Sequence, residues 1–118
     1  MRLRVFPSIE APSQARRELA SLAGRIDQDS LSDVTSVISE LVGMSVANGA
    51  RTPIEVVLHL DDGHLDGFLC DDGTGARAIS RRDSSSLVMR IVDALVEEWG
   101  ATNDADRRIW FRMDVQPV

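Results

Sequence analysis

The chain has 118 residues and a mass of 13.0 kDa, the size of one domain with a single hydrophobic core. Hydrophobic residues make up 43%, and no apolar run reaches the ~18–20 residues of a membrane span, so we expect one soluble domain, 1–118, without a membrane partner. The net charge of −6 argues against nucleic acid as a partner, and the absence of lysine excludes Schiff-base enzymes and the lysine-dependent phosphate loop.

Three elements are predicted in the first half of the chain. Alternation through Leu3 and Val5 predicts a short first strand that ends at Pro7. Apolar residues at helical spacing predict an amphipathic helix over 12–25. Ser30, with Asp33 at capping-box spacing, predicts the start of a second, longer helix. We expect Asn48-Gly49 to end that helix in a left-handed conformation.

A β-hairpin is predicted after Pro53. Ile54 to Leu60 alternate, Asp62-Gly63 suits a tight turn with positive φ, and the return strand runs from His64 to Cys70. The segment from Asp71 to Gly75 is a strand-end loop where glycines let the backbone approach another group, so it is a candidate site.

The last third of the chain predicts a helix and a closing strand. Residues 76–86 are polar and are interpreted as a mobile loop. Apolar residues from Leu87 to Trp99 predict a third helix that Gly100 ends, and alternation from Arg108 to Val115 predicts the final strand. The order β-α-α-β-β-α-β predicts an α+β fold, a two-layer α/β sandwich with three helices on one face of a mixed, mostly antiparallel sheet of four or five strands.

The sequence contains few cysteine and histidine residues that could bind a metal ion. Cys70 is its single cysteine, so it forms neither an internal disulfide nor a multi-cysteine zinc site, and we expect a reducing compartment. The first residues lack the apolar stretch of a secretory signal, so the expected location is the cytoplasm. His59 and His64 flank the hairpin tip, far in sequence from other imidazole or thiolate ligands, and are interpreted as surface residues.

Four short segments occur in an order that suggests a family. They are Ser39-Glu40-Leu41-Val42, Ala50-Arg51-Thr52-Pro53, the Asp71 to Gly75 loop, and Arg90-Ile91-Val92-Asp93-Ala94-Leu95 followed by Trp99-Gly100. Each segment alone is a weak signal, but together they resemble the GHKL (histidine kinase and HSP90-like) ATPase superfamily, specifically the small anti-sigma-factor serine kinases. The resemblance covers nearly the whole chain and implies a Bergerat-type ATP-binding fold.

The resemblance implies roles for several residues. Glu40 corresponds to the helical glutamate that acts as general base. Asp71 corresponds to the aspartate that accepts the adenine amino group, and Gly73 and Gly75 to the glycines beside the nucleotide. Without the family pattern, Glu40 reads as a solvated helix carboxylate and the Asp71 loop as an ordinary turn, and both alternatives stay open.

The sequence departs from the family on the phosphate side. Met44 replaces the asparagine that holds Mg²⁺, and a thioether is a poor ligand for that ion, so we expect no metal there and interpret Met44 as core packing. Asn48, one turn further along the helix, is the only nearby amide that could compensate, and it is a weak candidate for cofactor binding. Ser86 and Val88 replace the two lid glycines that help to cradle phosphates at a helix N-terminus.

These departures predict a regulatory protein with a degenerate nucleotide site. It would dock a sigma factor, an anti-sigma antagonist or both, and ATP or ADP would bind weakly, without a clear role for magnesium. One alternative is an active ATP-dependent serine/threonine kinase that phosphorylates an anti-sigma antagonist. The other is a non-catalytic dimerisation module that forms a homodimer.

Overall fold

The computed structural model describes residues 1–72, 87–103 and 106–118. In chain order it contains β1 (Arg2–Val5), α1 (Ala11–Leu19), a 3₁₀ segment (Ala20–Gly24), α2 (Gln28–Ala47), β2 (Ile54–Asp61), β3 (His64–Asp71), α3 (Leu87–Leu95), β4 (Glu98–Asn103) and β5 (Arg107–Asp114). The fold is α+β, as predicted. None of the helices in the described part of the chain combines the length and apolarity needed to cross a membrane.

The five strands form one sheet in the order β1-β2-β3-β5-β4. Every neighbouring pair in this sheet is antiparallel, so the prediction of a mixed sheet was wrong in that respect. The physical reason is that β2–β3 is a hairpin, and β4 and β5 are also sequential neighbours, so no crossover connection places two parallel strands side by side. The strands β1 and β4 are the edges.

One face of the sheet carries the core. Alternate residues of each strand are buried there, and they join the apolar faces of the three helices in one cluster. The sheet contributes Leu3, Val5, Ile54, Val56, Leu58, Leu65, Leu69, Trp99, Ile109, Phe111 and Met113. The opposite face has no helix against it among the described residues.

The hairpin turn and the end of α2 confirm their predictions. Asp62 and Gly63 have φ values of 37° and 82°, the two positive angles that a primed two-residue turn requires. Asn48 is the C-cap of α2, and Gly49 follows with φ 86°, which an L-residue with a side chain adopts only at a cost.

The start of α2 differs from the prediction. The N-cap is Asp27, whose carboxylate accepts a hydrogen bond from the Ser30 backbone amide at 2.8 Å. Ser30 is buried inside the helix, where its hydroxyl accepts from the Gln116 amide at 2.8 Å. A serine that was expected to cap the helix instead ties it to the C-terminal segment.

Two other helix boundaries also differ from the predictions. The helix predicted over 12–25 is α1 followed by the tighter 3₁₀ segment, a common way for a helix to end. Trp99 was expected to close the third helix, but α3 ends at Leu95 and Trp99 lies in the edge strand β4, opposite Phe111. The seven-residue spacing of Trp99 from Val92 fits a helix. Pairing of β4 with β5 also buries the indole, so local spacing could not distinguish a helix from a strand at this position.

Candidate functional site

The end of β3 holds a buried ion pair between Asp71 and Arg107. The two residues are directly opposed in the β3–β5 register, on the face that the helices cover. Arg107 donates from Nη2 to Oδ2 of Asp71 at 2.5 Å, and the two side chains are 1% and 0% exposed. A charge-assisted bond of this kind is strong, and burial of both charges makes each depend on the other.

The Arg107 guanidinium is incompletely satisfied. Its Nε and Nη1 are buried and have no hydrogen-bond partner within the described chain. An arginine has five N–H donors, so burial of a guanidinium with two unpaired nitrogens has a substantial desolvation cost. Asp71 is therefore the main described group that makes burial of this cation tolerable.

Asp72, the next residue, connects the loop after α2 to the end of β3. Its Oδ2 accepts hydrogen bonds from the backbone amides of Arg51 and Thr52 at 2.8 Å and 2.9 Å. Two of the four family-like segments, Ala50-Arg51-Thr52-Pro53 and the Asp71 loop, are thus held next to each other. Both aspartates at the end of β3 are engaged in contacts within the chain.

The remaining candidates on α2 lie one turn apart. Glu40 is half-buried in the middle of the helix. Met44 packs against the hydrophobic core, in agreement with its interpretation as a packing residue. Asn48 caps the helix, and its backbone amide donates to the Met44 and Val46 carbonyl groups. Asn48 is thus the residue one turn after Met44, and its backbone closes the last turn of α2.

The lid side of the expected site is only partly described. Gly73, Gly75 and Ser86 lie outside the described residues. Val88 is in the first turn of α3, half-buried, and packs against the core.

Sequence reasoning did not identify Arg107 as a functional residue. The closing strand was predicted to begin at Arg108, one residue too late. The available signal was the alternation itself, because Arg107 is two residues before Ile109 and so shares its buried face. An arginine on the buried face of a strand demands an acidic partner, and Asp71 is that partner.

The uncovered face of the sheet carries a row of apolar side chains. Val57, Phe68 and Trp110 are opposed in register across β2, β3 and β5, and Trp110 is 40% exposed. Gly100 of β4 completes the row, and a Cβ there would lie 2.5 Å from Nε1 of Trp110, so the indole lies flat across the glycine. Arg108 covers the Phe68 ring at 4.4 Å and donates from Nε to the Cys70 sulfur at 3.2 Å.

Charges on this uncovered face are divided between its two ends. One end of the face, towards the Cys70 end of β3, carries two arginines, Arg4 and Arg108, with Glu55. Arg2 is level with the apolar row, opposite Val57, and its Nε lies 3.2 Å from Oε1 of Glu55. The other end, towards the hairpin tip, carries mainly acids: Asp61, Asp66, Glu98 and Asp114, with Arg112. The apolar row runs between the two ends.

Comparison of the chain with models of protein families finds no match. Comparison with curated proteins also finds no match. The family resemblance therefore depends on the quoted residues, their order and their spacing.

Proposed function

We propose that this chain is an anti-sigma-factor-like regulatory protein of the GHKL superfamily, with a Bergerat-type fold, that acts by docking to other proteins. Its partner is a sigma factor, an anti-sigma antagonist or both. In this proposal ATP binding and phosphate transfer are weak or lost. The element order supports the family assignment, because a helix with Glu40, a hairpin, the Asp71 loop and a further helix follow one another as in that family.

The observation that carries the loss of nucleotide binding is the Asp71–Arg107 pair. In the resemblance, the carboxylate at this position accepts the amino group of adenine. Here a guanidinium N–H of the same chain already donates to that carboxylate at 2.5 Å, in a site that is closed to solvent. The carboxylate is closed to solvent, so adenine could reach it only if a covering group moved, and movement of Arg107 would leave its charge buried without Asp71, which is strongly unfavourable.

The phosphate side supports the same proposal. Met44 is at the position of the expected magnesium ligand and packs against the core, so the side chain at that position offers no oxygen to the ion. Val88 packs against the core at one of the two positions where the family has a lid glycine.

Calorimetric titration with ADP and ATP, each with and without Mg²⁺, tests the proposal. We expect weak binding or none, with similar behaviour of ADP and ATP and little effect of Mg²⁺. Met44→Asn supplies the missing amide oxygen and is the matched variant. It should not restore tight binding, because Asp71 stays paired with Arg107.

Tight, magnesium-dependent ATP binding by the wild-type protein would contradict the degenerate site. Incubation with ATP, Mg²⁺ and a candidate antagonist would then test the active serine kinase. Phosphate transfer that is lost in Glu40→Gln would support that alternative, with Glu40 as general base. Under the leading proposal, Glu40→Gln has no effect on protein docking, which is measured by capture of purified sigma factors or antagonist domains from the source cell.

The uncovered sheet face favours a second candidate function, a homodimerisation module. A two-fold axis along the apolar row would stack Val57, Phe68 and Trp110 on their copies. It would also place the arginine end of one chain over the acidic end of the other, since such a rotation reverses the strand direction. The face is thus complementary to itself in charge as well as in apolar character.

A further inference from the structure

A second cluster of titratable side chains lies at the opposite end of the sheet from Asp71. It contains His64 at the start of β3, Asp114 at the end of β5, and Glu97 just before β4. The Nε2 atom of His64 is 3.3 Å from Oδ1 of Asp114 and 3.9 Å from Oε2 of Glu97. One ligand atom from each of the three residues lies within 4.8 Å of the others.

The backbone holds the three residues at this corner. His64 and Asp114 are directly opposed in the β3–β5 register. The Glu97 amide donates to the Arg112 carbonyl at 2.8 Å, which places Glu97 beside Asp114. The side chains are 38%, 39% and 64% exposed for His64, Glu97 and Asp114, so an ion can reach them from solvent.

The charge at this corner is poorly balanced. Glu97 hydrogen-bonds to Asp114, so two carboxyl groups are in direct contact beside one imidazole. Arg112 is a cation two residues before Asp114 on the same face of β5, and its described ion pair is with Asp66 at 3.5 Å. Asp61, opposite His64 in the β2–β3 register, adds another negative charge. A bound cation would offset the negative charge of these carboxylates.

We propose that His64, Glu97 and Asp114 form a binding site for a divalent transition-metal ion of the Zn²⁺ type. Zn²⁺ binds imidazole nitrogen and carboxylate oxygen at about 2.0–2.2 Å, so neighbouring ligand atoms of a tetrahedral site are roughly 3.3–3.6 Å apart. The two measured distances from His64 bracket this range, and small side-chain rotations bring both within it. The imidazole ligand favours Zn²⁺ over Mg²⁺ or Ca²⁺, which prefer oxygen.

The site would connect three segments of the chain. The ion would join β3, β5 and the connection between α3 and β4, and three protein ligands would leave a fourth position for water or for a side chain of a docked protein. This inference is independent of the proposed loss of nucleotide binding, because the cluster lies at the other end of the sheet from Asp71 and Arg107.

Calorimetric titration of the untagged protein with ZnCl₂ tests the site. We expect one saturable site per chain, and a melting temperature that rises with Zn²⁺ but not with equal concentrations of Mg²⁺ or Ca²⁺. We expect Zn²⁺ affinity to fall about 10-fold or more in each of three variants, His64→Ala, Glu97→Gln and Asp114→Asn. Loss of a residue that only hydrogen-bonds to a metal ligand already has an effect of this size, and loss of a ligand should have at least as large an effect. His59→Ala, a histidine on the neighbouring strand outside the cluster, and Cys70→Ser are the controls and should bind as the wild type does.

Spectroscopy with Co²⁺ gives a readout that does not depend on variants. Absorption bands of a nitrogen and oxygen site, without a thiolate charge-transfer band, would support the assignment. The proposal is overturned if Zn²⁺ gives no saturable binding, if His64→Ala and Asp114→Asn both bind as the wild type does, or if Cys70→Ser alone abolishes binding.

Discussion

The interaction between Asp71 and Arg107 links the interior of the sheet to the proposed loss of nucleotide binding. Burial removes both charges from water, and their attraction compensates only while both are present. The unpaired Nε and Nη1 atoms of Arg107 add to the cost of burying this pair. An apolar pair of similar volume could thus be accommodated at the same place.

We predict that either single substitution of this pair is strongly destabilising. Asp71→Ala and Arg107→Met should each lower the free energy of unfolding by about 3–5 kcal/mol, because each removes the described ion-pair partner of a buried charge. The double variant Asp71→Leu/Arg107→Met should be close to the wild type or more stable. Urea unfolding followed by circular dichroism measures all three.

The control for this experiment is the exposed pair of Arg2 and Glu55, whose side chains are 70% and 41% exposed. Glu55→Ala should change stability by no more than about 0.5 kcal/mol, since solvent screens surface pairs. A double variant that loses as much stability as the sum of the two single variants would contradict the account of the buried pair.

At the scale of single elements, α2 is the longest helix and begins at a side-chain cap. We predict that Asp27→Ala lowers the free energy of unfolding by about 1 kcal/mol, because the Ser30 amide loses its acceptor. Asp29→Ala, in the same first turn, removes an equal charge but no described cap and should cost only a few tenths of a kcal/mol. Equal effects of the two substitutions in thermal unfolding would show that charge rather than the cap matters.

Two glycines in the sheet provide a matched pair of predictions about packing. A Cβ at Gly67 would lie 2.5 Å from Cζ of Phe111 and 2.8 Å from Cδ2 of Leu58, both in the core. Gly67→Ala should therefore cost about 1–3 kcal/mol, the usual range for overpacking. A Cβ at Gly100 would meet the Trp110 ring equally closely, but Trp110 is 40% exposed and can move away.

Gly100→Ala should thus cost clearly less than Gly67→Ala and should change the tryptophan fluorescence, because the indole is displaced from the sheet. Denaturant unfolding with a fluorescence readout measures both properties in one experiment. A larger loss of stability for Gly100→Ala than for Gly67→Ala would contradict the assignment of the two faces.

At the scale of the whole molecule, one face of the sheet is not covered by any helix in the described part of the chain. We predict that the protein forms a homodimer through this face and that Trp110→Glu shifts it towards the monomer in sedimentation experiments. High salt should also weaken the dimer, because the arginine and acidic ends attract each other and the screening length falls to about 3 Å at 1 M. Ile9→Glu is the control, since Ile9 is 92% exposed and lies outside the sheet.

A protein that stays monomeric at all concentrations, or a Trp110→Glu variant that associates like the wild type, would contradict this prediction. The nucleotide titration concerns Asp71 and Arg107 on the covered face, so its outcome is separate from that of the dimer experiment.

Local patterns in the sequence were sufficient for most of the elements. The spacing of apolar residues predicted α2, and the alternation around Asp62-Gly63 predicted the hairpin, because helix periodicity and turn chemistry are properties of adjacent residues. The same patterns failed at Trp99, where a helical spacing and a short edge strand bury the same side chain. They also assigned Ser30 to a cap, although its partner, the Gln116 amide, is 86 residues away.

The candidate sites were decided by the tertiary structure. The sequence alone placed Asp71 at a strand end and indicated that Met44 packs in the core, and in the structure Asp71 ends β3 and Met44 packs against the core. The partner of Asp71 is 36 residues away along the chain, and the carboxylates beside His64 come from two other segments. Such pairings depend on strand order and register, which local spacing does not determine. The protonation and binding properties of a charged side chain change when a distant strand places a second charge next to it.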